Sequence, residues 1–139
     1  MSNTSRVDKE LFRDDHYLGK PADDTDKIIT RRIAILEDFE GFFNINLNLV
    51  EAGCGNGATL NRIAGRFKTA TGIDLFDYSV PFQQSKETLS ASNSRFIQMD
   101  LEAEIPVEKF DRLISFEVIE HLKEDANVKN YGSMLNDGA

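Results

Sequence analysis

From Thr25 onward, apolar residues recur at helical spacing at Ile29, Ile33, Leu36 and Phe39, with acidic residues before them and Gly41 at the stop position. The spacing predicts an amphipathic helix. Phe43, Ile45, Leu47 and Leu49 then alternate with polar residues and lead through Val50 into Gly53-Cys54-Gly55-Asn56-Gly57. This is the pattern of a buried strand feeding a tight turn. Leu60, Ile63, Ala64 and Phe67 form the i, i+3, i+4, i+7 set of a second helix. Thr69 to Asp74 reads as a second strand, and Pro81 suits the first turn of a helix running to about Ser90. Arg95 to Met99 and Asp111 to Phe116 read as a third and a fourth strand, separated by an acidic loop containing Pro106. A polar helix with Val128, Tyr131 and Leu135 facing inward is expected at the end.

Short apolar strands alternating with helices specify an α/β fold, a doubly wound parallel sheet with helices on both faces. Such sheets bind ligands beyond the carboxyl ends of their strands, where strand order reverses. Residues 1–24 are polar and aperiodic and read as an arm or lid, which leaves 25–139 as one domain.

Composition adds limits rather than chemistry. The 139 residues are 40% hydrophobic and include ten Phe, enough to build a core. The formal net charge of −8 opposes a phosphate-backbone footprint, so no nucleic acid partner is expected. Cys54 is the single cysteine, which excludes an internal disulfide framework and a four-cysteine zinc site, and suits the reducing cytoplasm. No segment approaches the roughly 18 apolar residues of a membrane span, and the N-terminus is polar, so the chain reads as soluble, untargeted and without a membrane partner.

The first strand end carries the most informative motif. Its glycines permit positive φ and close approach of a ligand to the backbone, and the following helix would offer unpaired N–H groups. Gly53, Gly55 and Ala58 satisfy the Gly-x-Gly-x-x-Ala dinucleotide fingerprint, with Asp74 about twenty residues on as a ribose acceptor. Glu51 argues against a pyrophosphate, because like charges close together are costly. A ligand with positive charge would be favoured, whereas the plain alternative is a strand-to-helix turn with no ligand.

S-adenosylmethionine carries a sulfonium, an ammonium and a carboxylate but no phosphate. Between about residues 47 and 122 the sequence resembles the class I S-adenosylmethionine-dependent methyltransferases, whose first motif is an acidic residue, a small residue and Gly-Cys-Gly-x-Gly. Glu51, Gly53, Cys54, Gly55 and Gly57 match that motif. Gly72-Ile73-Asp74-Leu75 matches the second strand end, Phe96 to Leu101 the third, and Phe110 to Leu122 the fourth.

The resemblance implies a Rossmann-like sheet of seven strands, of which about four are present, and S-adenosylmethionine as cofactor. It implies that Asp74 accepts from the ribose hydroxyls and Asp100 from the adenine amino group, as suits carboxylates, which only accept hydrogen bonds when ionised. Leu75, Phe76 and Leu101 would flank the adenine, while Phe116 and Glu117 stand at the fourth strand end beside the ligand. Cys54 has no evident activating base and reads as a buried small residue rather than a nucleophile.

Glu117, Glu120 and His121 compose a Glu-x-x-Glu-His element that serves some methyltransferases as a divalent-metal site, and His121 is also the candidate base or substrate contact. The plain reading of His121 is a helix-terminus residue. In-line attack on an activated methyl group needs alignment and electrostatics more than a protein nucleophile. The expected function is methyl transfer to an unidentified, small-molecule acceptor. A non-catalytic cofactor-binding module, an inactive truncated fragment and an NAD-binding dehydrogenase half are the alternatives. Residues 133–139 resemble the turn that leads into a fifth strand in this family. The fourth strand is therefore expected to be a sheet edge open to self-association or completion in trans.

Overall fold

Four parallel strands, β1 (Asn48–Ala52), β2 (Thr69–Asp74), β3 (Ser94–Gln98) and β4 (Arg112–Ile114), form one sheet in the order β3-β2-β1-β4. The computed structural model describes residues 27–116 and 131–136. Helices α1 (Lys27–Glu37), α2 (Ala58–Ile63) and α3 (Ser79–Thr88) precede or link the first three strands. β1 lies in the interior, with Glu51 aligned between Gly72 of β2 and Ile114 of β4.

Strand alternation divides the core in two. Leu49, Ala70, Phe96 and Ile114 face Leu36 of α1, Leu60 and Ile63 of α2 and Phe82 of α3. Val50, Ala52, Ile73 and Leu113 face the opposite way, against Leu101, Phe110, Tyr131 and Met134. Both layers are nearly water-free, so every residue of β1 after Asn48 is buried, the acidic Glu51 included.

Several local expectations are corrected. Phe43 to Leu47 is not strand: Asn44 Oδ1 accepts from Asn46 N–H at 2.8 Å and Asn44 O from Leu47 N–H at 3.0 Å, closing a turn that leaves Ile45 61% exposed. The asparagine side chain competes for the backbone donors that a ladder would need. α2 stops at Ile63, and Ala64–Arg66 continues as a tighter 3₁₀ turn before Phe67 becomes extended. Asn93 explains the stop, because its Nδ2 donates to the carbonyls of Ala64 (2.7 Å) and Phe67 (3.0 Å) that helical bonds would otherwise use. Phe67 is still fully buried, in edge contact with Phe42.

β4 is shorter than expected and stands at one edge of the described sheet. Beside its start, Phe110 N–H donates to Met134 O and Asn136 N–H to Phe110 O, both at 2.8 Å, giving an isolated parallel bridge between Phe110 and Leu135. Met134 rather than Leu135 is the fully buried residue there, since Leu135 is extended backbone and not helix. Tyr131 is buried as expected, whereas Val128 and the arm of residues 1–24 lie outside the described residues.

Candidate functional site

β2 and β4 flank β1 on opposite sides, so the chain's path reverses at the carboxyl end of β1. The turn there is built from Gly53, Gly55 and Gly57, with φ of 79°, 55° and 77°. Gly57 is obligatory on two counts: its φ is left-handed, and a Cβ would sit 2.6 Å from the Phe82 ring and 2.8 Å from Asn61 Nδ2. At Gly55, by contrast, a Cβ would meet nothing within 4 Å, so this side of the turn opens outward.

Most donors in the turn are already used. Gly53 and Cys54 N–H both donate to Ile73 O, at 2.7 and 3.1 Å, which staples the turn to the end of β2. Gly55 N–H donates to Asp74 Oδ2 at 2.9 Å, Gly57 N–H to Cys54 O at 3.0 Å and Ala58 N–H to Asn56 Oδ1 at 3.0 Å. The expectation that the start of α2 would offer unpaired N–H groups is thus corrected at Gly57 and Ala58. A pyrophosphate needs such donors, and these are spent on the protein itself.

Glu51 shares the β1 face that α1 and α2 cover and is only 2% exposed. Its Oε1 is buried without a hydrogen-bond partner. Burial pushes its carboxyl from the ordinary 4.5 up to about 8; Arg32 works against that shift and the nearby Asp74 adds to it. Arg32 reaches this strand end from α1, donating from Nη1 to Thr59 Oγ1 at 3.3 Å while its guanidinium lies 5.0 Å from the Phe116 ring centroid. It had not been singled out from the sequence. The signal was present, since Arg32 follows Ile29 by three and precedes Leu36 by four, which puts a charge beside the inward stripe of α1.

Asp74 closes β2. Beyond its bond from Gly55, Oδ1 accepts from Phe76 N–H at 3.3 Å. Burial raises its carboxyl from 3.8 to about 6, with the Gly55, Phe76 and Leu75 amides pulling it back down. Met99 N–H donates to Asp74 O at 2.9 Å, which brings the end of β3, and Asp100 just after it, alongside the end of β2. Asp100 Oδ1 accepts from Glu102 N–H at 3.0 Å. Leu75 and Phe76 are partly exposed, while Leu101 is buried in the second core layer with Val50 and Ala52.

Cys54 is buried, and its side chain fills the space over Gly72, where a Cβ would come within 2.6 Å of Sγ. Burial pushes the thiol well above its ordinary range, the opposite of nucleophile activation. Glu117, Glu120 and His121 lie outside the described residues. Among the described residues no three His, Cys, Asp or Glu side chains form a metal-binding group. No helix among them is long and apolar enough to cross a membrane.

Thus the structure brings the glycine turn, Glu51, Asp74, Asp100 and Phe116 to the carboxyl ends of adjacent strands. Residues 50–130 match the family described as "Methyltransferase domain". The chain belongs to this methyltransferase-domain family. No curated protein sequence matches it. Among solved structures, it is similar to an S-adenosylmethionine-dependent methyltransferase from Thiobacillus denitrificans in complex with S-adenosyl-L-homocysteine. There the TM-score is 0.64 at 18% identity, over 96% of this chain and 54% of that one. The N-methyltransferase NodS from Bradyrhizobium japonicum gives 0.64 at 21% identity, over 81% and 57%. Magnesium protoporphyrin IX methyltransferase from Synechocystis, with bound S-adenosylmethionine, gives 0.62 at 22%, over 79% and 54%. These likenesses confirm the Rossmann-like α/β fold of the methyltransferase domain. The chain spans about half the length of the solved structures it matches.

Proposed function

We propose that this chain binds S-adenosylmethionine, as part of an enzyme that transfers the methyl group to a small-molecule acceptor. The buried, unpartnered Glu51 oxygen beside a glycine turn whose Gly55, Gly57 and Ala58 donors are already occupied carries this reading. Such a site fits a phosphate-free ligand with a cationic end and disfavours a dinucleotide. When bound, the cofactor supplies an electrophilic methyl on a good leaving group. The chain's own residues bind and orient it: the open side of Gly55 receives the ligand, and Glu51 faces the positive charge. Asp74 retains lone pairs for a ribose diol after serving Gly55 and Phe76, and Asp100, past the end of β3, is the acceptor for an adenine amino group. Phe76 and Phe116 supply apolar surface at the strand ends, with Leu101 supporting from beneath.

Titration calorimetry tests this reading. S-adenosylhomocysteine is expected to bind at micromolar concentration and NAD not to bind; binding of NAD alone would overturn it. Incubating labelled S-adenosylmethionine with fractionated cell extract would then identify the acceptor. A cytoplasmic location belongs to the same reading and is supported by the lone, unpaired Cys54. Pairing of another strand along β4, from a second copy or in trans, is supported by its edge position. Light scattering on the purified chain, showing a monomer at all concentrations and no other chain bound, would remove that proposal.

A further inference from the structure

A carboxylic acid in the middle of a parallel sheet needs an account. Glu51 is held between Gly72 and Ile114, on a strand whose other inward residues are apolar, and one of its oxygens meets neither protein donor nor open solvent. Among the described residues, three charged or titratable groups act on it. Arg32 approaches from α1, Asp74 from the end of β2, and the Cys54 thiol from the turn, while β4 presents the apolar Ile114. Arg32 donates to Thr59, lies over Phe116 and partly offsets the cost of a charge on Glu51, while the carboxylate at Asp74 opposes a second negative charge beside it. In so dry a place the neutral acid is the stable form until a positive charge arrives.

We propose that Glu51 holds a proton while the site is free of cofactor and loses it when the ammonium of the cofactor's amino-acid end docks, so that cofactor uptake releases a proton. This deepens the reading above and rests on it. The O–H bond of the carboxyl breaks, the proton passes to solvent, and the electron pair stays on Glu51 as the counter-charge to the ligand. The sign follows from linkage. The free site keeps its proton up to about pH 8 and the occupied site to a lower pH, so affinity rises with pH through that interval and levels off above about 8. Where one full proton is released, each pH unit changes affinity about tenfold.

Calorimetry at pH 7 in two buffers of different ionisation enthalpy measures the proton count directly. Two ligands separate the groups. S-adenosylhomocysteine carries the ammonium, which keeps its own proton at this pH. 5′-Methylthioadenosine has the same nucleoside thioether without the amino-acid end. We expect close to one proton released with the first ligand and markedly fewer with the second, any release common to both belonging to groups that meet the shared nucleoside. Glu51→Gln, of nearly equal size, is expected to remove the difference and to flatten the pH dependence of S-adenosylhomocysteine affinity. Equal proton release with both ligands on the unmodified chain would overturn the proposal alone. Failure of both ligands to bind would overturn the cofactor reading beneath it.

Discussion

Gly55 N–H donates to Asp74 Oδ2 at 2.9 Å, joining the glycine turn after β1 to the carboxylate that ends β2. One side chain thereby holds the shape of the turn and faces the candidate ribose site. Removing it has two consequences that can be measured apart.

Asp74→Ala is expected to weaken S-adenosylhomocysteine binding at least tenfold, since a lost hydrogen bond to a charged acceptor is worth about 1.5–3 kcal/mol. Asp74→Asn retains an acceptor for Gly55 and is expected to fall between the two. Calorimetric affinity for the three proteins checks this, and unchanged affinity in Asp74→Ala would remove Asp74 from the site.

Stability of the cofactor-free protein should fall as pH rises between 4.5 and 8, the ordinary and the folded-state values for Glu51. The sign follows because the folded state binds the proton more tightly than the unfolded chain, so the stabilisation is complete below the lower value and is lost through the upper one. Urea midpoints at pH 6 and pH 8 should differ in that direction. Glu51→Gln should shrink the difference; an equal difference in the variant would assign the effect elsewhere.

Gly57→Ala is expected to destabilise by about 2 kcal/mol or more, from left-handed backbone and overpacking together. The new methyl would press on the Phe82 ring and Asn61. Gly65→Ala is the control: the site is exposed and a Cβ there meets nothing within 4 Å, so the change should be within about 0.5 kcal/mol of neutral. Urea unfolding of both variants provides the comparison.

Asn93→Ala should cost about 1–2 kcal/mol, because the Ala64 and Phe67 carbonyls, at the start of the 3₁₀ turn and just past it, lose their side-chain donor. Amide exchange should show faster opening confined to residues near 64–68 if the role is local. Uniform acceleration across β1 and β2 would contradict it.

The glycine turn and the strand-end positions of Asp74 and Asp100 are legible in the sequence because each depends on local order: a strand, a turn needing positive φ, and an acid that follows a strand. The stretch from Phe43 to Leu47 misled for an equally local reason. Its alternation imitates a strand, but Asn44 offers its neighbours a competing turn, and only the pairing partner available at Asn48 shows where the ladder begins. Phe67 is core but not helix, since burial follows from its apolar side chain while its carbonyl is held by Asn93, 26 positions away.

The α/β class, the order of the elements and the glycine turn at the end of the first strand can be read along the chain, because periodicity and backbone sterics act between near neighbours. That β4 pairs beside β1, that Arg32 reaches Thr59 and Phe116 near Glu51, and that Glu51 is buried with one oxygen unpartnered emerge only from the tertiary fold. Those relations join residues far apart in the chain. Their energies come from desolvation and packing, which exist only once the sheet and its covering helices have closed around them.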